Sequence, residues 1–223
     1  MNSIVSEKRY IQQALGIPYE NLSQSYLRAE TNLASLSQYN FILQANAKSA
    51  PLVTERLLNL NDQFIITHFR IGLKALTIAN ITPTLELTTN VQTYLDPLVF
   101  LGDTANAGAI YNGSLEFTID RKQYLPEFPV SSFYRVPATQ TGAFLDTAGT
   151  AGTPAATFVG NTGVNGYDNG LYGFYPSEPT LIDGRQTLDI NLVLGAAVDI
   201  TDATTLARAV FEVRGYLVVN SKS

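Results

Sequence analysis

The stretch 208-RAVFEVRGYLVV-219 decides the fold of this chain. Its odd-numbered residues form one face of apolar and small side chains: Ala209, Phe211, Val213, Gly215, Leu217 and Val219. The opposite face is marked by Arg208, Glu212, Arg214 and Tyr216. A repeat of two residues is the period of a β-strand. The stretch therefore predicts a long strand with one face in a core, followed by a polar tail at 220–223.

The segment 186–194 repeats this pattern. One side carries Leu188, Ile190, Leu192 and Leu194, and the other side carries Thr187, Asp189, Asn191 and Val193. A turn-rich segment separates the two strands, which is typical of an antiparallel sheet with one face in a core.

Further alternation predicts strands upstream of these two. The predicted strands lie within 54–60, 63–78, 84–89, 114–120, 123–128, 131–136, 171–175 and 180–182. In 63–78 one face is predicted to carry Ile65, Thr67, Phe69, Ile71 and Leu73, and the other Phe64, Ile66, His68 and Arg70. Asn112-Gly113 predicts a type I′ turn, and Arg121-Lys122 a tight turn. Because helices do not alternate with the strands, the class is all-β, a single jelly-roll-like antiparallel β-sandwich over 51–223.

Residues 1–50 differ from the rest and predict an N-terminal helical arm. A first helix is expected over 6–15, ended by Gly16 and Pro18. A second is expected over 19–36, where Leu22, Tyr26, Ala29, Leu33 and Leu36 recur at helical spacing. The arm packs on its own domain, reaches onto a neighbouring subunit or is disordered. In the second case, removal of residues 1–45 is expected to leave the sheet folded and weaken assembly.

A long loop is predicted at 138–170, which is rich in Gly, Ala and Thr. It is either an exposed insertion or a contact with neighbouring subunits. Tyr167, Tyr172, Phe174 and Tyr175 follow beside glycines and could stack on sugars or fill an interface. Core packing and interface anchoring are favoured over sugar binding, because the chain has no tryptophan, the largest ring available to a sugar platform.

The composition excludes several classes of protein. The net charge of −5 argues against a nucleic-acid binder, which needs a basic stripe. The absence of cysteine excludes disulfides and thiolate metal sites. No signal peptide or membrane-spanning apolar run is recognisable. Only 15% of the residues are charged, which suits extensive protein contact because few charges must be desolvated.

The sequence offers little catalytic chemistry. His68 is the single histidine, and no nucleophile motif accompanies it, so a structural role is favoured. Glu116, Asp120, Asp189 and Glu212 could supply a glycosidase-like carboxylate pair, but their position on the wet face of a sheet is the favoured explanation. Asp168, Asp199 and Asp202 lack the spacing of an EF-hand calcium loop. No P-loop or dinucleotide-binding motif occurs. The sequence thus predicts no enzyme, no cofactor and no metal.

The order of features resembles that of the jelly-roll capsid and virion structural proteins of bacteriophages. The resemblance lies in the N-terminal arm followed by NLNDQFIITHFRIGLKA (59–75), YNGSLEFTIDRKQYL (111–125), FYPSEPTLIDGRQTLDINLVLG (174–195) and RAVFEVRGYLVVN (208–220). It implies a non-enzymatic shell subunit or auxiliary protein, made in the host cytoplasm and located in the virion. The implied partners are copies of the chain itself and other virion proteins, with neither a membrane nor sequence-specific nucleic acid.

On this hypothesis the assembly interface draws on exposed or loop-borne aromatic and apolar residues. The candidates are Tyr10, Tyr26, Leu33, Phe144, Phe158, Tyr167, Tyr172, Phe174 and Tyr175. An alternative is a carbohydrate- or receptor-binding β-sandwich with a groove around 167–175. A third possibility is a hydrolase that uses Glu116 and Asp189, which requires their strands to be close in the sheet.

Overall fold

The computed structural model describes residues 3–93, 104–134, 144–147, 155–158, 179–199 and 205–218. The strands are β1 (Leu22–Asn32), β2 (Leu36–Asn40), β3 (Gln63–Thr77), β4 (Ser114–Ile119), β5 (Lys122–Pro129), β6 (Phe144–Thr147), β7 (Ala155–Phe158), β8 (Thr180–Asp183), β9 (Leu188–Val198) and β10 (Thr205–Val218). The α-helices are α1 (Ser3–Leu15), α2 (Pro83–Thr88) and α3 (Thr104–Tyr111), and short 3-10 helices occupy Tyr19–Asn21, Ile78–Asn80 and Val130–Phe133.

Eight of the strands form two four-stranded antiparallel sheets. Sheet I has the order β1-β10-β3-β8, and sheet II has the order β2-β9-β4-β5. The first strands pair with the last in reverse order, as β1 with β10, β2 with β9, β3 with β8 and β4 with β5. This nested pairing is the jelly roll, so the predicted all-β sandwich is confirmed. The hairpin β6-β7 is inserted between β5 and β8.

The main core lies between the two sheets. Sheet I contributes Ala209, Phe211 and Val213 from β10, and sheet II contributes Ile190 and Leu192 from β9. These are the faces that the alternation predicted for both strands. Phe41 and Phe211 pack against each other in this core with tilted rings whose centroids are 5.5 Å apart. Burial of such side chains contributes roughly 1.5–3 kcal/mol each and drives the collapse of the sandwich.

A bulge changes which residues of β3 face the core. Ile66 pairs with Gly215 and His68 with Arg214, so Thr67 is the extra residue. Downstream of it the core face is Phe69, Ile71 and Leu73, as predicted, but upstream it is Phe64 and Ile66. The predicted placement of Phe64, Ile65 and Ile66 is therefore wrong. A bulge shifts the alternation by one residue, and nothing in the local pattern announces it.

The N-terminal region corrects a second expectation. The first helix is confirmed as α1, but the helix predicted over 19–36 is wrong, because β1 occupies Leu22–Asn32 and pairs with β10 over its whole length. The sandwich therefore begins at Leu22 and not near residue 51. Leu27, Ala29 and Leu33 are buried at strand spacing, and this segment satisfies the helical and the strand period together. Removal of residues 1–45 would delete β1 and β2 and cannot leave the sheets intact.

Three predicted strands are also wrong. Residues 54–60 form no named strand and contribute only isolated bridges through Arg56 and Leu58. Residues 84–89 lie largely in α2, because Thr82 caps the helix by accepting a hydrogen bond from the Leu85 N–H, and Pro83 occupies its first turn. The segment predicted as a strand at 131–136 begins in the 3-10 helix Val130–Phe133.

The turn predictions differ from the structure in position. Asn112-Gly113 closes the end of α3, where the Gly113 N–H donates to the Ile110 carbonyl, and neither residue has a positive φ. The two-residue turn with both φ positive is instead Asp120-Arg121, between β4 and β5. The residue before β9 stabilises this turn, because the Thr187 N–H donates to Asp120 Oδ1 at 2.8 Å. The predicted Arg121-Lys122 turn is therefore displaced by one residue.

Candidate functional site

The candidate interface residues fall into different environments. Tyr10 on α1 and Tyr26 on β1 are 49% and 41% exposed. Leu33 is fully buried in the main core, so its assignment to an interface is wrong. Leu33 was an interface candidate because it lay in the helix predicted over 19–36. As the residue after β1, it points between the sheets.

The remaining candidates lie in or near the predicted loop. Phe144 and Phe158 are directly opposite each other in the β6-β7 hairpin. The loop at 138–170 thus contains two short paired strands. Tyr167, Tyr172, Phe174 and Tyr175 lie outside the described residues, as do Asp168, Asp202 and the strand predicted at 171–175.

The outer face of sheet I carries a network of charged side chains, here called the ion network. Its members are Arg28, Glu30, Lys48, Glu55, Arg70, Lys74, Glu86, Arg208, Glu212 and Arg214. The cross-strand register builds it in rows. Arg28, Glu212 and Arg70 are adjacent on β1, β10 and β3, and Asn32, Arg208 and Lys74 form a second row.

Glu30 lies at the centre of the ion network. Its Oε1 accepts hydrogen bonds from Arg28 Nη2 at 2.6 Å and from the Thr54 hydroxyl at 2.7 Å. Lys74 Nζ lies 4.0 Å from the same oxygen, and Arg208 Nη1 lies 3.5 Å from Oε2. The Glu30 side chain is wholly buried, so these cations replace the water that would otherwise solvate its charge.

Glu212 forms a second centre of the ion network. Its carboxylate oxygens accept from Arg70 Nη2 and from Arg214 Nε, both at 2.9 Å. Burial alone would raise the pKa of Glu212, but the two guanidinium groups, chiefly that of Arg70, hold it below its ordinary value. The same competition lowers the pKa of Glu30, where Arg28 and Thr54 outweigh burial. Both carboxylates therefore remain ionised at neutral pH.

Three segments cover this outer face. Helix α2 brings Glu86, whose Oε1 lies 2.9 Å from Arg208 Nη1 and whose carbonyl accepts from Lys74 Nζ at 2.6 Å. The segment 48–55 brings Lys48, Thr54 and Glu55. At the other end of the sheet α1 covers a small second core, which comprises Ile11, Leu22, Ile65, Tyr216 and Val218.

His68 and Tyr216 lie beneath α1. The Tyr216 hydroxyl donates to Glu7 Oε2 at 2.8 Å, and burial together with this carboxylate raises the pKa of the phenol. His68 Nδ1 contacts the Thr67 hydroxyl at 2.7 Å, and burial lowers the pKa of its imidazole although Glu7 opposes the shift. These contacts fasten the helix to the sheet. They support the structural role that the sequence favoured for His68.

The outer face of sheet II has a different character. The exposed residues of β2 and β9 are mostly uncharged and include Gln38, Asn40 and Asp189, whereas β5 carries the exposed charges of Lys122 and Glu127. Asn40 Nδ2 donates to Asp189 Oδ1 and to Asn191 Oδ1, each at 3.1 Å, and Asn191 Nδ2 donates to Asp189 Oδ1 at 2.9 Å. This amide array spans β2 and β9; its members Asn40 and Asp189 are exposed to water, whereas Asn191 is buried.

The candidate carboxylates are only partly brought together. Glu116 on β4 pairs with Asn191, and Asp189 on β9 pairs with Thr118, so the two acids are diagonal neighbours on adjacent strands. Glu212 lies on the outer face of the other sheet and cannot join them. Asp120 is bound to the Thr187 N–H in its turn. The register thus places the strands of Glu116 and Asp189 side by side, as the hydrolase hypothesis requires.

Sequence reasoning missed the ion network and the edge residues of β1. The available signal was the position of Lys74, Glu86 and Arg208 in or beside strongly apolar stretches, where an ionised side chain needs a partner. Within the described part of the chain, no group of three or more His, Asp or Glu side chains is placed to hold a metal ion. No helix there is long and apolar enough to cross a membrane.

Comparison of the chain with protein-family models, with curated proteins and with solved structures found no match. The fold is a jelly-roll β-sandwich with a helix on the outer face of one sheet. Its function has to be argued from its surfaces, since one fold carries many functions.

Proposed function

We propose that this protein is a structural component of a virion, a bacteriophage capsid subunit or capsid-associated protein that acts by self-association and docking. The jelly roll is an architecture used by viral shell proteins, although lectin domains and cupins share it. The proposed location is the virion, after synthesis in the host cytoplasm. The partners are further copies of the chain and other virion proteins.

The observation that carries the proposal is the separation of charge between the two sheets. The ion network places charged groups of sheet I beneath α2 and the segment 48–55. The exposed residues of β2 and β9 on sheet II are Leu36, Ser37, Gln38, Asn40, Asp189, Gly195, Ala196 and Ala197, of which Asp189 alone is charged. An uncharged polar surface can be covered by a neighbour at a low desolvation cost. Packed neighbours in a shell need surfaces of this kind on several sides.

Exposed apolar side chains add to this argument. Tyr10, Tyr26, Leu36 and Val53 are each about half exposed, although a single exposed apolar residue is ordinary. They lie on α1, on β1, on β2 and in the segment 48–55. Contacts through them would add apolar burial to an otherwise polar interface.

The test is the mass of the purified chain across a wide concentration range, by light scattering behind a sizing column, together with negative-stain imaging. Discrete oligomers or shells are expected if the chain assembles by itself. A strict monomer at high concentration that also fails to bind any virion shell would contradict the proposal.

A carbohydrate- or receptor-binding module is the second candidate, and the amide array on sheet II favours it. Asn40 and Asp189 offer donors and acceptors on an accessible face, which is the chemistry that sugar hydroxyls require, and the buried Asn191 is hydrogen-bonded to both. A broad glycan screen of the whole protein tests it, with Asp189→Ala as the loss-of-binding variant. Absence of glycan binding, or binding unchanged in that variant, would contradict a sugar site on this face.

A further inference from the structure

The cover of the outer face of sheet I has an opening. Helix α1 covers the second core at one end of the sheet, and the segment 48–55 covers Glu30. Between these covers lies the row of Tyr26, Arg214 and His68, which are adjacent on β1, β10 and β3. Tyr26 is 41% exposed and the side chain of Arg214 is 32% exposed. A molecule outside the protein can therefore reach this row.

Arg56 borders the opening. Its backbone exchanges two hydrogen bonds with Arg28, which fixes its place beside β1. Its side chain is exposed, and the guanidinium carbon lies 5.1 Å from the centroid of the Tyr26 ring. Among residues 3–93 and the other described ranges, no carboxylate lies within 4.0 Å of this guanidinium. An incoming carboxylate therefore does not have to displace an ion-pair partner from it.

The surroundings of the opening carry an excess of positive charge. The adjoining ion network has six cationic side chains and four carboxylates, and Glu212, for example, is shared by Arg70 and Arg214. Glu7 faces His68 from α1, where its carboxylate accepts from a tyrosine hydroxyl of β10. The whole chain has a net charge of −5, so the opening is a positive site on an acidic protein. Such a site attracts anionic groups.

We propose that the opening around Tyr26, Arg56 and Arg214 binds a short, extended, acidic segment of a partner protein. The guanidinium groups of Arg56 and Arg214 donate to its carboxylates. Arg28 makes the same kind of contact within the chain, because its Nε and Nη2 both donate to Glu30 Oε1, at 3.0 and 2.6 Å. The Tyr26 ring packs on an apolar side chain of the segment. This contact deepens the docking function proposed above and rests on it.

Charge and dimensions favour a short polypeptide as the occupant. A nucleic acid extends beyond the opening and meets the negative charge of the rest of the chain, whereas a short acidic segment meets only the local positive excess. On β1 the rows of Tyr26 and Arg28 are about 7 Å apart, and the row of Glu30 beyond them is covered. An extended chain fits this width better than a helix, which is about 10–12 Å across.

A labelled model peptide tests the opening directly. The probe is fluorescein-labelled Gly-Glu-Glu-Tyr-Glu-Glu-Gly, and the matched peptide has Gln in place of every Glu. Fluorescence anisotropy is measured with the full chain at low salt. The acidic peptide should bind and the Gln peptide should not. Binding should weaken when the salt is raised to about 0.3 M, because the charges at the opening are partly exposed and are screened.

Arg56→Gln removes the guanidinium that borders the opening and keeps the backbone hydrogen bonds to Arg28. The dissociation constant of the acidic peptide should rise about tenfold or more, which corresponds to the loss of one hydrogen bond between charged groups. The melting temperature should change little, because the Arg56 side chain is exposed. Arg56→Lys should lie between the two, since it keeps the charge and loses the planar fork.

Arg185→Gln is the matched control. Arg185 is also exposed, but it lies in the turn between β8 and β9, away from the opening. It removes the same charge from the chain and should leave peptide binding unchanged. Three results would overturn the proposal: equal binding of the acidic and the Gln peptide, an equal loss in Arg56→Gln and Arg185→Gln, and displacement of the acidic peptide by a ten-nucleotide oligothymidylate at lower concentration than by the unlabelled peptide.

The light-scattering experiment separates this proposal from the proposed function. A chain that forms oligomers or binds a virion shell, but does not bind the acidic peptide, would reject the acidic partner and leave the structural function standing. A chain that remains monomeric, binds no shell and does not bind the peptide would reject both proposals.

Discussion

The outer faces of sheet I and sheet II have the same alternating sequence pattern, but the first is largely buried and the second is exposed to water. On β10 the even positions Arg208 and Glu212 are buried in the ion network. On β9 the corresponding position Asp189 is exposed and accepts hydrogen bonds from two amides. Both strands alternate apolar with polar, so the alternation identifies the face of a residue without telling whether water reaches it.

The difference arises from segments that are distant in the sequence. Helices α1 and α2 and the segment 48–55 all lie against sheet I, and each supplies a group that the sheet needs. The charged side chains of this face are therefore structural, because each is paired under its cover. Those of sheet II remain available for water or for a partner.

The largest expected effect comes from removal of the central charge. Glu30→Gln should lower the free energy of unfolding by about 3–5 kcal/mol, because Lys74 and Arg208 would keep their buried charges without this counter-ion. Urea denaturation followed by circular dichroism measures it. The matched change on sheet II, Asp189→Asn, should cost far less, since water solvates that site. Similar losses in the two variants would contradict the distinction between the faces.

Substitution of one glycine in each sheet tests how closely neighbouring backbone approaches it. A Cβ at Gly215 on β10 would lie 1.8 Å from the Ile65 carbonyl oxygen, which belongs to the backbone of β3 and cannot move aside easily. Gly215→Ala should therefore cost about 1–3 kcal/mol or more. A Cβ at Gly195 on β9 would meet nothing within 4 Å, so Gly195→Ala should cost nothing. Thermal unfolding of both variants is the measurement, and equal melting temperatures would refute the assigned bulge.

The pH dependence of the first effect follows from the lowered pKa of Glu30. A carboxyl whose pKa is lower in the folded state stabilises the fold above its unfolded pKa, near 4.5. That stabilisation is lost as the pH falls through the folded value. The difference in unfolding free energy between wild type and Glu30→Gln should accordingly be full at neutral pH and shrink below about pH 4.5. A difference that stays constant down to about pH 3 would contradict ionisation as its cause.

The smallest effect concerns the turn that joins β4 to β5 at the end of sheet II. Arg121 has φ +70°, a conformation that glycine adopts without strain. Arg121→Gly should raise the free energy of unfolding by about 0.5–1 kcal/mol. Lys122→Gly, one residue later inside β5, should lower it instead. Measurement of the two urea midpoints decides between them, and a shift of the same sign in both would reject the turn assignment.

Local pattern was sufficient where one period dominated. The strands β4, β9 and β10 and the helix α1 follow from alternation or helical spacing, and with the turn signals they give the sandwich class. It was insufficient for β1, where Leu22, Tyr26, Ala29 and Leu33 fit a helix while Leu27, Ala29 and Leu33 fit a strand. Pairing with β10 decided that competition, because eleven ladder partners outweigh a weak local preference.

The candidate interface residues also differ in whether local pattern was sufficient to place them. Tyr10 and Tyr26 are exposed, as surface aromatics are. Leu33 belongs to the core because it follows β1, a strand that the local pattern did not indicate. The outward N–H and C=O groups of Gln24 and Tyr26, which have no partner in the described part of the chain, are backbone atoms, which every residue carries. No side-chain pattern could indicate them.

The sequence by itself determined the all-β class, the core faces of β9 and β10 and the scarcity of catalytic groups, since these depend on residue type and near-neighbour spacing. The tertiary structure alone decided which sheet is covered and where the bulge at Thr67 falls. These features depend on contacts between segments far apart in the chain, such as Glu30 with Arg208 or Ile65 with Gly215. Such contacts are long-range, and a local period does not encode them.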